Sequence, residues 1–122
     1  MKRIVIADDS GTARLLIKKC LEIVGFNEST FIEASNGKEA FDIIKKEPVD
    51  LLVTDLSMPI MDGETLLRCI KRNPNLKNIP VIVVTSSNNK AKELYLTSLG
   101  AHSVLSKPTT PASLKSVISP LL

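Results

Sequence analysis

Asp8 and Asp9 close the short apolar run Ile4-Val-Ile-Ala, and Asp55 closes the run Leu51-Leu-Val-Thr. Both runs read as buried strands that stop at an acid. Laid side by side and parallel, they bring three carboxylates to one edge of a sheet. Like charges that close push each other's pKa upward, so the cluster needs a cation or shared protons. Oxygen-only donors suit a hard divalent ion, and Mg2+ is favoured because few protein ligands are on offer.

Such a cluster needs a parallel sheet to assemble it. Strand candidates fall at residues 3–7, 30–34, 51–54, 80–85 and 103–105. Ile4-Val-Ile, Leu51-Leu-Val and Val81-Ile-Val-Val are continuously apolar, as strands covered on both faces are, whereas 30–34 alternates and suits a sheet edge. Helical patterns separate the strands. The first is expected over 12–24, with Ala13, Leu16, Cys20 and Val24 on its inner face and Gly25 past its end. Asn36-Gly37 opens the second, which buries Ala40, Phe41 and Ile44 and closes before Pro48. The third, 64–71, buries Leu67 and Ile70. The fourth uses Ala91, Leu94, Tyr95 and Ser98, with Ser86-Ser87-Asn88-Asn89 as its cap. The fifth begins near Pro111 and uses Leu114, Val117 and Ile118. Strands and helices in alternation, joined by short loops, mean a doubly wound α/β fold: a five-stranded parallel sheet with helices on both faces. Ligands of such folds bind beyond the carboxyl ends of the strands, where Asp8, Asp9, Asp55 and Thr85 all stand.

The 122 residues suit one domain, 1–122, large enough for a full core. No apolar stretch is long enough for a signal peptide or a membrane span, so a cytoplasmic protein without membrane insertion is expected. The net charge of +3 is compatible with an acidic partner, but Lys45-Lys46 and Lys71-Arg72 stand near helix C-termini, where cations complement the dipole. Phe26, Phe31, Phe41 and Tyr95 are the only aromatics, too few for a basic groove interleaved with rings. Direct nucleic-acid binding is not expected. Cys20 and Cys69 read as thiols in a reducing compartment, and His102 as an ordinary loop histidine.

Asp8-Asp9, Asp55, Met58-Pro59, Asp62-Gly63, Thr85 and Lys107-Pro108, in this order and at these intervals, resemble the receiver domain of two-component response regulators. The resemblance spans the whole chain and is strongest to single-domain chemotaxis-type (CheY-like) receivers. Those proteins are themselves the type example of the flavodoxin-like strand order 2-1-3-4-5, so that order is implied by the likeness. The likeness also implies roles. Asp55 would accept a phosphoryl group from a histidine kinase or phosphotransfer protein, forming an acyl phosphate. Asp9, Asp55 and the Ser57 carbonyl would ligate Mg2+, and Asp8 would complete the metal site by orienting a coordinated water. Lys107, followed by a cis bond to Pro108, would meet a phosphoryl oxygen. Thr85 would give its hydroxyl to the same group, and its movement would switch a face made by the fourth helix, fifth strand and fifth helix toward a downstream protein target. Ser57 and Ser87 occupy positions whose side chains tend to influence dephosphorylation. The protein would be a switch, an enzyme only toward its own phosphorylation and dephosphorylation.

Singly, these residues have plainer readings: Asp9 as a cap, Thr85 as a β-former, Lys107 as solvated surface, and Met58-Pro59 and Asp62-Gly63 as turns. Their shared place on one side of the sheet is what argues for a site. Three positions depart from the chemotaxis type. Val104 stands where Tyr or Phe is usual, Thr109 where Phe is common, and Leu56 where Trp adjoins the acceptor. Other functions compatible with the fold fit less well. A haloacid-dehalogenase-like phosphatase needs an Asp-x-Asp motif after the first strand. A flavodoxin-like cofactor binder needs a neutral phosphate loop where Asp8-Asp9 stand. A phosphate sink, or the receiver module of a longer regulator, remains as an alternative use of the same site.

Overall fold

The central strands are built from residues that alternate between two apolar layers, because successive strand side chains point to opposite faces. The computed structural model of the chain describes residues 2–121. Its strands are β1 (Arg3–Ala7), β2 (Thr30–Ala34), β3 (Leu51–Asp55), β4 (Val81–Thr85) and β5 (Ser103–Ser106), all parallel and in the order β2-β1-β3-β4-β5. The helices are α1 (Gly11–Leu21), α2 (Gly37–Lys46), α3 (Gly63–Arg72), α4 (Lys90–Ser98) and α5 (Pro111–Ile118). Val5, Leu52, Val81 and Val83 pack with Ala40, Ile44, Leu67, Ile70 and Leu96 under α2, α3 and α4. Ile4, Ile6, Val53, Ile82 and Val84 pack with Ile17, Leu21, Leu114 and Ile118 under α1 and α5. The expected doubly wound sheet and its order are thus present.

Helix starts follow local chemistry. Ser10, Asn36, Asp62 and Asn89 each accept a backbone N–H three residues on, and Thr110 with Ser113 forms a capping box. Asn89 is therefore the capping member of the 86–89 run.

Two helix faces differ from expectation. In α1, Ile17, Cys20 and Leu21 are buried while Leu16 is 41% exposed. Leu15, Leu16, Ile17 and Leu21 circle the helix, so periodicity fits either stripe, and the sheet below selects the one holding Ile17. The regular α-helix stops at Leu21, earlier than expected, and the chain turns through Glu22–Phe26 with a break at Gly25, whose φ of 124° is non-helical. That turn carries Phe26 back into the core. In α4 the expected face is outward: Leu94 and Tyr95 are exposed, and Leu96 alone is buried. Leu94-Tyr95-Leu96 spreads bulk around the helix, so contact with the sheet decides which residue turns inward.

Candidate functional site

Strand register brings the polar residues together. Ala7 is paired with Thr54, Asp55 with Val84, and Thr85 with Ser106. Asp8 therefore leaves β1 abreast of Asp55, and Lys107 leaves β5 one residue beyond the row of Thr85. Carboxylate oxygens of Asp8, Asp9 and Asp55 all lie within 4.8 Å of one another. Asp8 is fully buried, Asp55 nearly so, and Asp9 is exposed.

The cluster is held from several sides. Asp8 Oδ1 accepts the Ser10 N–H at 2.9 Å, and its Oδ2 accepts from Lys107 Nζ at 3.0 Å. Lys107 Nζ also lies 3.3 Å from Asp55 Oδ1, which accepts the Leu56 N–H at 2.8 Å. The Lys107–Pro108 peptide bond is cis, as the likeness implied. Arg14 donates to the Asp8 carbonyl at 2.7 Å and pairs with Glu33 at 2.7 Å. Sequence reasoning missed Arg14, because a tie from the first turn of α1 to the end of β1 has no local pattern.

Electrostatics follow from this packing. Burial, then the neighbouring Asp8 carboxylate, push the Asp55 carboxyl above its ordinary range, while Lys107 and the Leu56 N–H oppose the rise. Burial pulls the Lys107 ammonium down, but the two carboxylates outweigh it and its net shift is upward. Three carboxylates against one ammonium leave two negative charges, which one divalent cation balances. The donors are hard oxygens and one acid is open to solvent, so the residues present fit Mg2+ with several waters retained.

Beyond the cluster a cleft of about 540 Å3 is lined by Asp55, Ser57, Thr85, Ser87, Lys92 and Lys107, among others. The sequence-derived residues Asp55, Ser57, Thr85 and Lys107 thus share one cavity. Thr85 is buried, and its Oγ1 accepts the Ser87 N–H at 3.3 Å. Two residues between the end of β3 and the first turn of α3 have a constrained backbone. Gly63 donates its N–H to the Leu56 carbonyl at 2.8 Å, and a Cβ added to it would lie 2.2 Å from the Asp55 carbonyl oxygen. Ile60 adopts φ 69° while 83% exposed. A β-branched side chain in the left-handed region costs about 1–2 kcal/mol, and Asn visits that region more readily. Ile60→Asn should therefore stabilise the fold by about 1 kcal/mol. A thermal midpoint at or below that of the parent would contradict this.

A model of the response regulator receiver domain matches residues 4–119. The chain belongs to that family. This receiver is 34% identical over 116 residues to the probable chemotaxis protein CheY of Rhizobium etli, covering 95% of this chain and 88% of that protein. To chemotaxis protein CheY-3 of Vibrio cholerae it is 35% identical over 113 residues, with 93% and 85% covered. Among solved structures it resembles the signal receiver domain of a signal transduction histidine kinase from Syntrophus aciditrophicus. The two are 32% identical with a TM-score of 0.84, covering 100% of this chain and 90% of that one. It also resembles the Mn(2+)-bound form of response regulator Rcp1, at 26% identity and a TM-score of 0.82, with 98% and 93% covered. The protein is thus a CheY-type receiver domain, a signalling switch by family.

The receiver's departures from the chemotaxis type are structural as well. Val104 is buried against the layer under α4, and Thr109 is buried with its carbonyl accepting the Cys20 thiol at 3.6 Å. Tyr95, on the exposed side of α4, is tied to α3: Arg68 donates to its hydroxyl at 2.6 Å, and that hydroxyl donates to Glu64 at 3.1 Å. His102, in the loop before β5, meets the Val117 carbonyl at 2.9 Å and takes no part in the site. Among the described residues, no helix is long and apolar enough to cross a membrane.

Proposed function

We propose that this chain, as a single receiver domain over 1–122, accepts a phosphoryl group on Asp55 and changes its partner-binding surface in response. Met1 and Leu122 of that span lie outside the described residues. The observation that carries the reading is the contact of Lys107 with both Asp55 and Asp8 at the mouth of a cleft that Thr85 also lines. Asp55 Oδ2, the oxygen not engaged by the Leu56 N–H or Lys107, is free to attack phosphorus in line with the leaving group. Lys107 then stays within reach of a phosphoryl oxygen and holds it as a point charge. Thr85 gives its hydroxyl to another. Asp9, Asp55 and the Ser57 carbonyl would hold Mg2+, with Asp8 completing the acidic site. When bound, the metal would offset negative charge on the phosphoryl oxygens during transfer.

The donors in this reading are a histidine kinase or phosphotransfer protein, and the output partner is a protein docking on the face of α4, β5 and α5, in the cytoplasm. Because Val104 cannot swing a ring, output runs through the 86–89 loop and the start of α4. The likeness to a receiver carried by a histidine kinase favours a second use, as a module of a longer signalling protein. Incubation with acetyl phosphate and Mg2+ should add one phosphoryl group by intact mass, and Asp55→Asn should remove it. Equal labelling of that variant would overturn the assignment.

A further inference from the structure

The cleft holds a second lysine that the proposed chemistry does not use. Lys92, in the first turn of α4, lines the cleft together with Asp55, Thr85 and Lys107. Its ammonium donates to the Ser87 carbonyl at 3.0 Å and to the Ser87 hydroxyl at 2.9 Å. Its backbone N–H is held by Asn89 Oδ1 at 2.8 Å, so both ends of the residue are fixed. Ser87 in turn donates its N–H to Thr85 Oγ1 at 3.3 Å. A continuous chain of contacts therefore runs from α4 through Lys92 and Ser87 to the Thr85 hydroxyl. The other charged groups facing this wall are already engaged. Glu64 is paired with Arg68 at 3.2 Å, and Asp62 accepts the Thr65 N–H at 2.8 Å.

We infer that Lys92 is a positioning residue that sets the lifetime of the phosphorylated state by clamping Ser87 across one wall of the cleft. The inference rests on phosphorylation at Asp55. Hydrolysis of the acyl phosphate requires a water oxygen to bond to phosphorus opposite the Asp55 oxygen. The P–O bond to Asp55 then breaks, its electron pair returns to the carboxylate, and the water proton leaves to inorganic phosphate or solvent. A phosphoryl group on Asp55 projects into the cleft, so the attacking water enters from the solvent side, past Ser87. With Lys92 holding both oxygens of Ser87, that side chain cannot turn aside to admit or orient the water. The same grip holds the Ser87 N–H on the Thr85 hydroxyl.

The test follows decay of the phosphorylated protein after labelling with acetyl phosphate and Mg2+ and removal of the donor. It compares the parent, Lys92→Ala, Lys92→Arg, Ser87→Ala and the Lys92→Ala/Ser87→Ala double variant, each with its thermal midpoint. Lys92→Ala should decay about three- to tenfold faster, the range expected for losing one net hydrogen bond. Its midpoint should stay near that of the parent. Lys92→Arg, which keeps the charge and offers several donors to the Ser87 oxygens, should restore the parental lifetime. The double variant should decay no faster than Lys92→Ala, because the two residues act as one unit. A Lys92→Ala lifetime within about twofold of the parent, or effects of the two substitutions that multiply independently, would overturn the inference while leaving phosphorylation of Asp55 intact. A parent that takes no label on Asp55 would overturn both readings.

Discussion

Asp55→Asn is expected to take up no phosphoryl group and yet to melt above the parent at neutral pH. An amide has nearly the shape of the carboxylate, and its Oδ1 still accepts the Leu56 N–H. It offers phosphorus no anionic oxygen, so labelling should vanish rather than fall. Stability moves the other way. The Asp55 carboxylate is 6% exposed and faces Asp8, and both burial and that neighbour raise its pKa over the unfolded value, with Lys107 offsetting part of the rise. A carboxyl whose pKa rises on folding binds its proton more tightly in the native state. Its contribution to stability is therefore full below the unfolded pKa and is lost as pH climbs through the folded one. At pH 7 the parent bears that loss and the Asn variant does not, a difference on the order of 1 kcal/mol. Below about pH 4 the parent's Asp55 is protonated and the two midpoints should converge. Added Mg2+ should raise the parent more than the variant, because binding to the native state alone stabilises by mass action and the variant has lost one ligand. Thermal unfolding at both pH values, with and without Mg2+, checks all three claims. An Asn variant that melts below the apo parent at pH 7 would contradict the electrostatic account.

Gly63→Ala should be the more damaging substitution, although it touches no charged group. The added Cβ would stand 2.2 Å from the Asp55 carbonyl oxygen and 2.9 Å from Leu56 Cα, against an ordinary contact of about 3.4–4 Å. Both neighbours are main chain, so no side chain can rotate away. The start of α3 is pinned by the Gly63 N–H on the Leu56 carbonyl and by the Asp62 cap, and the end of β3 is pinned by pairing with β4. Relief requires these two elements to part by more than an ångström, in a core that has no slack. A loss of about 3 kcal/mol or more is expected, a midpoint lower by roughly 10 °C. Because the shifted strand end carries Asp55, Mg2+ affinity should fall with stability. A midpoint within about 5 °C of the parent would show that the loop yields more easily than its contacts imply.

Much of this receiver was legible in the amino-acid order. Unbroken apolar runs such as Ile4-Val-Ile and Val81-Ile-Val-Val occur only where both strand faces are covered, so they announce a parallel sheet. Acids at the ends of two such runs then have one place to go. Asn36 and the 86–89 run mark helix starts because a short polar side chain satisfies a nearby N–H, an effect confined to neighbouring residues. What tertiary structure alone decided is whatever depends on residues far apart in sequence. The inward stripe of α1 was ambiguous because Leu16 and Ile17 are both apolar, and only the sheet beneath selects Ile17. On α4, Leu94, Tyr95 and Leu96 offered three directions, and docking chose Leu96. Arg14 on Asp8, Gly63 against Asp55 and Lys92 on Ser87 are contacts of backbone approach and long side-chain reach. Hydrophobic periodicity carries no information about such contacts, because they depend on where two elements meet rather than on what either is made of.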